Sequence, residues 1–478
     1  MKKWLSVLLT LCLMLSMVAC GSSSGDDKQA AATEGAKDQR FRVGYAREDI
    51  TPKHPVGLTG YGNTSDRKHT EVLDYIYLTT VAVTDHQDNT MIMITVDVTG
   101  FEEEQASSLT SKAAKAAGIP KENVTISGTH THSAPSPAEI ISDINKAVEK
   151  TVEEAMEDRE YADMYIGSAR TQGLNFVRHY WMDDGSLVSD NHGDPTGKTY
   201  AGHTTEVDNQ MQLLKFDRDG DKKDVIMVNW QSHPHITGGF EKYSLSADII
   251  GAFREYLEKD TDCLFAYYQG AAGNINPTSR IAEENANTTN PRNYRVHGEL
   301  LTMHAKEGLA DMKKLEPGLI KVNSEVFVGE CDHSDGALAA AASLVIAYYD
   351  EGHTPTEVQR FAEPYGIWSV YHARAISGRA STGKTMNIPI TTFTIGQVGF
   401  ATIPGELFDT IGMSIKEESP CEMTFIMGYC NGSVGYLSSE YAYEYGTYEV
   451  DIRKFVKGTS EKLGQRHVEI LNELVAEQ

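Results

Sequence analysis

His130 and His132 stand two positions apart in ISGTHTHSAPSP, residues 126 to 137, at the end of an apolar run and among small hydroxyl residues. A surface turn is made with Gly, Asn or Asp, whereas imidazoles bring metal binding and proton transfer. In an extended segment side chains alternate between faces, so residues two apart look into the same space. The pair then faces one pocket, one ring on a metal and the other on substrate or water; the alternative is a polar turn closed by two hydrogen-bonded histidines. A second pair, His233 and His235, flanks Pro234, which holds His233 extended and removes an amide donor from the turn. Glu406 follows Pro404-Gly405 and opens the helical run ELFDTIGMSIKEE, where it either complements the helix dipole or supplies a carboxylate. Two histidines and one carboxylate make a catalytic zinc set with a position open for water, whose pKa the metal lowers towards about 7. Imidazole-rich ligation favours Zn2+ over Mg2+ or Ca2+, and Asp97 is expected to orient a ligand or the water.

Positioning such groups falls to strand ends. Apolar runs of strand length occupy residues 75 to 85, 91 to 100, 124 to 132, 225 to 235, 264 to 274 and 394 to 406. Helical patterns lie between many of them: FEEEQASSLTSKAAKAAG, AEIISDINKAVEKTVEEAM, LSADIIGAFREYLEK, NYRVHGELLTMHAKEGLADMKK and DGALAAAASLVIAYYDEG. Alternating strands and helices predict an α/β fold, a mixed central sheet flanked by helices and buried on both faces, in a single large domain over residues 40 to 478. Ligands in such folds sit outside the carboxyl ends of strands. Asp97, His130 with His132, His233 with His235, Asn274 with Asn276, and Glu406 all stand at such ends.

The start of the chain reads differently. Lys2 and Lys3 precede an apolar run from Trp4 to Ala19, then Cys20 and GSSSGDD. This is an export signal over residues 1 to 19. Met17-Val18-Ala19-Cys20 resembles a bacterial lipobox, implying cleavage before Cys20 and lipidation there, followed by a flexible tether to about residue 39. The protein is expected outside the cytoplasm, held to the membrane only by that lipid. A formal net charge of −25 argues against nucleic acid and against charge-driven binding of anionic lipid. Cys263, Cys331, Cys421 and Cys430 form neither a disulfide framework nor a metal knuckle, though a Cys421 to Cys430 bridge is open.

THTHSAP resembles the THTHSGP motif of the neutral/alkaline non-lysosomal ceramidases. The resemblance continues in order through VGYAREDITP, GYG, NFVRHY, NWQSHPH, GAAGNINP, IPGE and GYLSSEYAYEYGTYE. It implies zinc held by His130, His233, Glu406 and Tyr436. Tyr436 comes from the resemblance alone, because in a stretch also holding Tyr441, Tyr443 and Tyr445 it reads as aromatic packing. His132, Arg178 and Tyr448 match positions that contact the substrate. The chain departs from the pattern where the family has a serine in a GDxSP context: that position is Asn276, which is no acyl-accepting nucleophile. Ala134 replaces a glycine beside the metal motif. The sequence reaches Gln478 without a counterpart of the family's immunoglobulin-like C-terminal domain.

The expectation is a zinc-dependent hydrolase of an N-acyl bond, with His132 in proton transfer and Arg178, Tyr448 and Asn276 orienting the substrate, Asn276 by donating to the developing oxyanion. The alternatives are a zinc amidase or esterase for another small substrate, such as an N-acylated sugar, and a ligand-binding lipoprotein without catalysis. Oligomeric state is not legible.

Overall fold

The computed structural model describes residues 38–61, 67–192, 197–287 and 293–476; the signal, Cys20 and most of the tether fall outside the described residues. The large sheet runs in the order Leu264–Gln269, Val225–Trp230, Gln210–Arg218, Glu160–Arg170, Phe41–Asp49, Tyr77–Thr84, Thr90–Val96, Val124–Gly128, with Lys313–Leu315 pairing onto Glu160–Arg170. Its middle is antiparallel, and the last pair at each end is parallel. Parallel neighbours need a crossover, usually helical. Here Glu103–Ala117 makes one, and Asp248–Thr261 lies in the other. The crossovers place the ends of four strands, those at Val96, Gly128, Trp230 and Gln269, at the rim where the candidate residues follow.

The strands read as nearly continuous apolar runs because both faces are covered. Ile92, Ile94, Ala82 and Ile126 pack against helices Glu103–Ala117 and Ile141–Glu157. Ile226, Val228, Phe265 and Tyr267 pack against Asp248–Thr261 and Tyr294–Ala310. The alternate residues, Met91, Met93, Val81, Val83, Val225, Met227 and Tyr268, face a second sheet. That sheet has the order Ile320–Glu330, Thr385–Ile395, Val398–Thr402, Met423–Met427, and its far side carries helices Asp409–Glu418 and Thr459–Ala476. The large sheet is therefore buried on both faces, by helices on one and by the second sheet on the other.

The large sheet curls until its ends approach. Tyr268 donates its hydroxyl to Met93 O at 3.3 Å, and the loop after Met427 stitches both edges: Gly428 N–H donates to Gln269 O (2.8 Å), and Gly128 N–H to Tyr429 O (3.2 Å). Curling brings together the histidine pairs that follow strands from opposite ends of the sheet. Helix Glu103–Ala117 stops at Gly118, whose φ of 68° is the left-handed cap that a Cβ disfavours. The four cysteines among the described residues are free thiols, so Cys421 and Cys430 are not bridged. Among the described residues no helix is long and apolar enough to cross a membrane.

Candidate metal centre

The strand Val124–Gly128 ends two residues before His130, and there the extended backbone breaks. His130 has φ of 66°, and its N–H donates to Val98 O at 2.9 Å. The rings of His130 and His132 still enter one space, with their Nε2 atoms 3.1 Å apart. They share it because the left-handed residue turns the chain, not because a strand alternates. Stacking on Tyr429 at a centroid distance of 3.9 Å fixes the His130 ring.

Two backbone carbonyls decide the tautomers. Thr99 O lies 2.7 Å from His130 Nδ1 and Ile275 O 3.0 Å from His233 Nδ1. A carbonyl only accepts, so each Nδ1 carries the proton and each Nε2 presents its lone pair to the pocket. Burial, the largest influence, pushes both imidazoles below the ordinary histidine range and keeps them neutral. His233 Nε2 is buried with no hydrogen-bond partner, a state that costs about 1–3 kcal/mol in the absence of a ligand.

The carboxylate stands where a metal would need it. Glu406 Oε2 is 3.3 Å from His233 Nε2 and 3.6 Å from His130 Nε2. Donors on the corners of a tetrahedral zinc site are about 3.3 Å apart. Glu406–Leu407 pairs in parallel with Tyr436–Leu437, Glu406 opposite Tyr436, so one short ladder delivers both side chains. Burial pushes the Glu406 carboxyl and the Tyr436 phenol up, and the Glu406 charge pushes Tyr436 further. A cation between them would favour both ionised forms. His132 also points a nitrogen inward: His130, His132 and His233 offer ligand atoms all within 4.8 Å of one another. Two donor sets thus share His130 and His233, one completed by His132 and one by Glu406 with Tyr436. The orphaned nitrogen and the donor spacing fit a zinc ion.

Arg178 meets this group from behind. Its Nη2 donates to Tyr436 OH at 3.1 Å and its Nε to Glu449 Oε1 at 2.7 Å. Glu449 is fully buried, and its other oxygen lies 2.9 Å from His179 Nε2. Tyr448 packs edge-on to Tyr436 with centroids 6.0 Å apart. His132 is neutral: burial first, then His130 and His233, hold its pKa well below the ordinary value, and its Nδ1 is buried without a partner. Gly60, at φ 97°, lies so close beneath that ring that a Cβ there would meet His132 Cγ at 2.4 Å.

Asn276 is clamped. Its Nδ2 donates to Asp190 Oδ2 at 2.7 Å and its Oδ1 lies 3.0 Å from His235 Nε2. A carboxylate accepts only, which fixes the amide's orientation and makes His235 Nε2 the donor. Arg280 Nε holds the other Asp190 oxygen. The oxyanion donation expected of Asn276 therefore rests on the one amide hydrogen left over. Asn274 braces the helix opening at Asp409 through two hydrogen bonds, at 2.8 and 2.9 Å. Asp97 departs from its expected role. It takes Arg254 Nη2 at 2.9 and 2.7 Å and the Tyr77 N–H at 2.9 Å, so its carboxylate serves a buried ion pair and orients no metal ligand.

Residues 41–264 match the family described as neutral/alkaline non-lysosomal ceramidase, N-terminal. That match spans a little under half of the chain. The ceramidase fold extends further: neutral ceramidase from Pseudomonas aeruginosa is 17% identical with a TM-score of 0.69, over 92% of this chain and 75% of that one. A ceramidase complexed with C2 is 16% identical with the same TM-score, over 92% and 76%. No protein of curated function matches the sequence.

Glu449 and His179 were not singled out from the sequence. The only trace of them is their placement next to Arg178 and Tyr448 in NFVRHY and GTYEVD, and nothing in either spacing pairs segments 271 residues apart.

Proposed function

We propose that this chain is a zinc-dependent hydrolase of an N-acyl amide bond, with ceramide or a related N-acyl compound as substrate, working outside the cytoplasm from a lipid anchor on Cys20. The observation that supports it best is the partnerless His233 Nε2 beside His130 and Glu406 at metal-ligand spacing, in a chain whose residues 41–264 match the ceramidase family. His130, His233, Glu406 and Tyr436 would hold the ion. Zinc, when bound, supplies a Lewis acid for the carbonyl and lowers the pKa of water.

The chain's own groups do the rest. His132 is neutral at pH 7 and presents Nε2 to the shared space. There it serves proton transfer between the attacking water and the leaving nitrogen. Arg178, tethered by Glu449, cannot swing away; it brings fixed positive charge to Tyr436 and the developing oxyanion. Tyr448 lines the approach. Asn276 has no hydroxyl to acylate, so water attacks directly. One observation favours the second reading, an N-acylated sugar or similar substrate: next to the histidines, His235, Asn276, Asp190 and Arg280 are joined in one run of polar contacts.

The test is hydrolysis of ceramide and of N-acylated sugars by the zinc-loaded protein and its His132→Ala variant. The reading expects release of the acid from one class and a loss of about a hundredfold or more in kcat for His132→Ala. A folded, zinc-loaded protein that cleaves neither class would overturn it.

A further inference from the structure

The strands Ile320–Glu330 and Thr385–Ile395 form an antiparallel pair that two residues are enough to close. Residues 331–384 join them instead. This arm carries helices Ala339–Asp350, Pro355–Ala362 and Val370–Ser381 around a core of its own, with Ala342, Val345, Val358, Ile367, Ala373 and Ile376 buried together.

The arm returns towards the metal centre through Trp368. Its ring lies 5.6 Å from that of Tyr448, which lies 6.0 Å from that of Tyr436. The indole is pinned: Nε1 donates to Asp451 Oδ2 at 2.7 Å, and the same oxygen takes His192 Nε2 at 3.0 Å, with the His192 ring 5.2 Å from the indole. Nearby, Arg379 pairs with Asp335 and Arg453 with Asp332. Trp368 and Tyr448 are both only partly buried, so each offers ring surface to a substrate. Trp368 also borders a cavity of about 570 Å³ within the arm, lined besides by Ile367, Gly366, Thr356, Gln359, Arg360 and Glu363.

We infer that Trp368 is a specificity-determining residue: with Tyr448 it forms the wall along which an aliphatic chain of the substrate lies while the amide is held at the metal centre. This rests on the amidase reading above. Rings of this size bury methylenes without demanding hydrogen bonds, and the hydrogen bond to Asp451 fixes the ring before substrate arrives, which spares ordering on binding.

The experiment uses the full chain with Trp368→Ala and Trp368→Phe, each shown to bind metal as the parent does. One arm compares acetyl, octanoyl and palmitoyl amides of a single amine; a second keeps the acyl group and lengthens the amine side. Trp368→Ala should lower kcat/KM for the longest chain by about tenfold or more, mainly through KM, with the loss growing with length in one arm, and that arm names the chain that lies on the wall. Trp368→Phe should recover most of it. A loss independent of length in both arms, or no loss, overturns the inference and leaves the hydrolase reading standing. Dodecanoate binding, followed by tryptophan fluorescence in the parent and by calorimetry in both proteins, separates the two failures. If no amide is cleaved but Trp368→Ala weakens dodecanoate binding about tenfold, the wall survives without the reaction. Unchanged binding sinks it.

Discussion

Glu449→Gln is the perturbation that probes the buried wiring behind the metal centre. Both oxygens of Glu449 are engaged, one by Arg178 Nε at 2.7 Å and one by His179 Nε2 at 2.9 Å, and none of its surface reaches solvent. Glutamine keeps the shape but turns an amide toward one of these donors and leaves the Arg178 guanidinium buried without a counter-charge. Removing one member of a buried pair costs about 3–5 kcal/mol. Urea unfolding at pH 7 should show that loss as a lower midpoint at unchanged slope. The pH signature has a definite sign. Burial alone would raise the Glu449 carboxyl, but His179 and Arg178 outweigh it and hold it well below the usual carboxylate range. A depressed folded pKa gives stability that is present above the unfolded value, about 4.3, and lost as pH falls below it. The gap between parent and variant should therefore close on acidification below about pH 4. A gap under about 1 kcal/mol at pH 7, the range of an exposed pair, or one that widens with acid, would refute the reasoning.

Gly60→Ala should cut kcat by about tenfold or more with the fold intact, because the new methyl displaces the His132 ring and small misplacements at a reacting group are costly; circular dichroism and steady-state rates check it. Asn276→Asp sets a carboxylate against Asp190, whose Oδ2 is 2.7 Å from the present amide nitrogen. It should destabilise the protein by about 1–3 kcal/mol at pH 7, measured by denaturant unfolding. Burial lowers the pKa of His467 to about 4, so the folded state resists a proton that the unfolded chain takes up near pH 6.5. Between pH 6.5 and 4 the parent should lose about 2–3 kcal/mol more than His467→Gln, read from unfolding midpoints across that range.

Strand ends were the legible part of this molecule. Asp97, His130, His233, Asn274 and Glu406 could be placed by asking which polar groups close apolar runs, since a strand's end is set by its own neighbours. What those groups touch was less legible. Asp97 looks like any other strand-end carboxylate until helix Asp248–Thr261 brings Arg254 to it. His130 and His132 were expected to share a face by alternation, and they share it through a left-handed turn that a histidine is not required to make. Tyr436 required the family resemblance, because its pairing with Glu406 is a two-residue ladder between segments 30 positions apart. The second sheet escaped notice for a physical reason. A strand buried under helices and one buried under another sheet carry the same apolar pattern, so Met91, Met93 and Tyr268 gave no sign of which layer they would meet.

The claim on which the account turns is that His130, His233, Glu406 and Tyr436 hold one zinc ion. Metal content by mass spectrometry, on folded protein purified without chelator and on its His233→Ala variant, tests it most directly. The account predicts about one zinc per chain in the parent and none retained by the variant. A folded parent without metal, or a variant that keeps its full share, would contradict it.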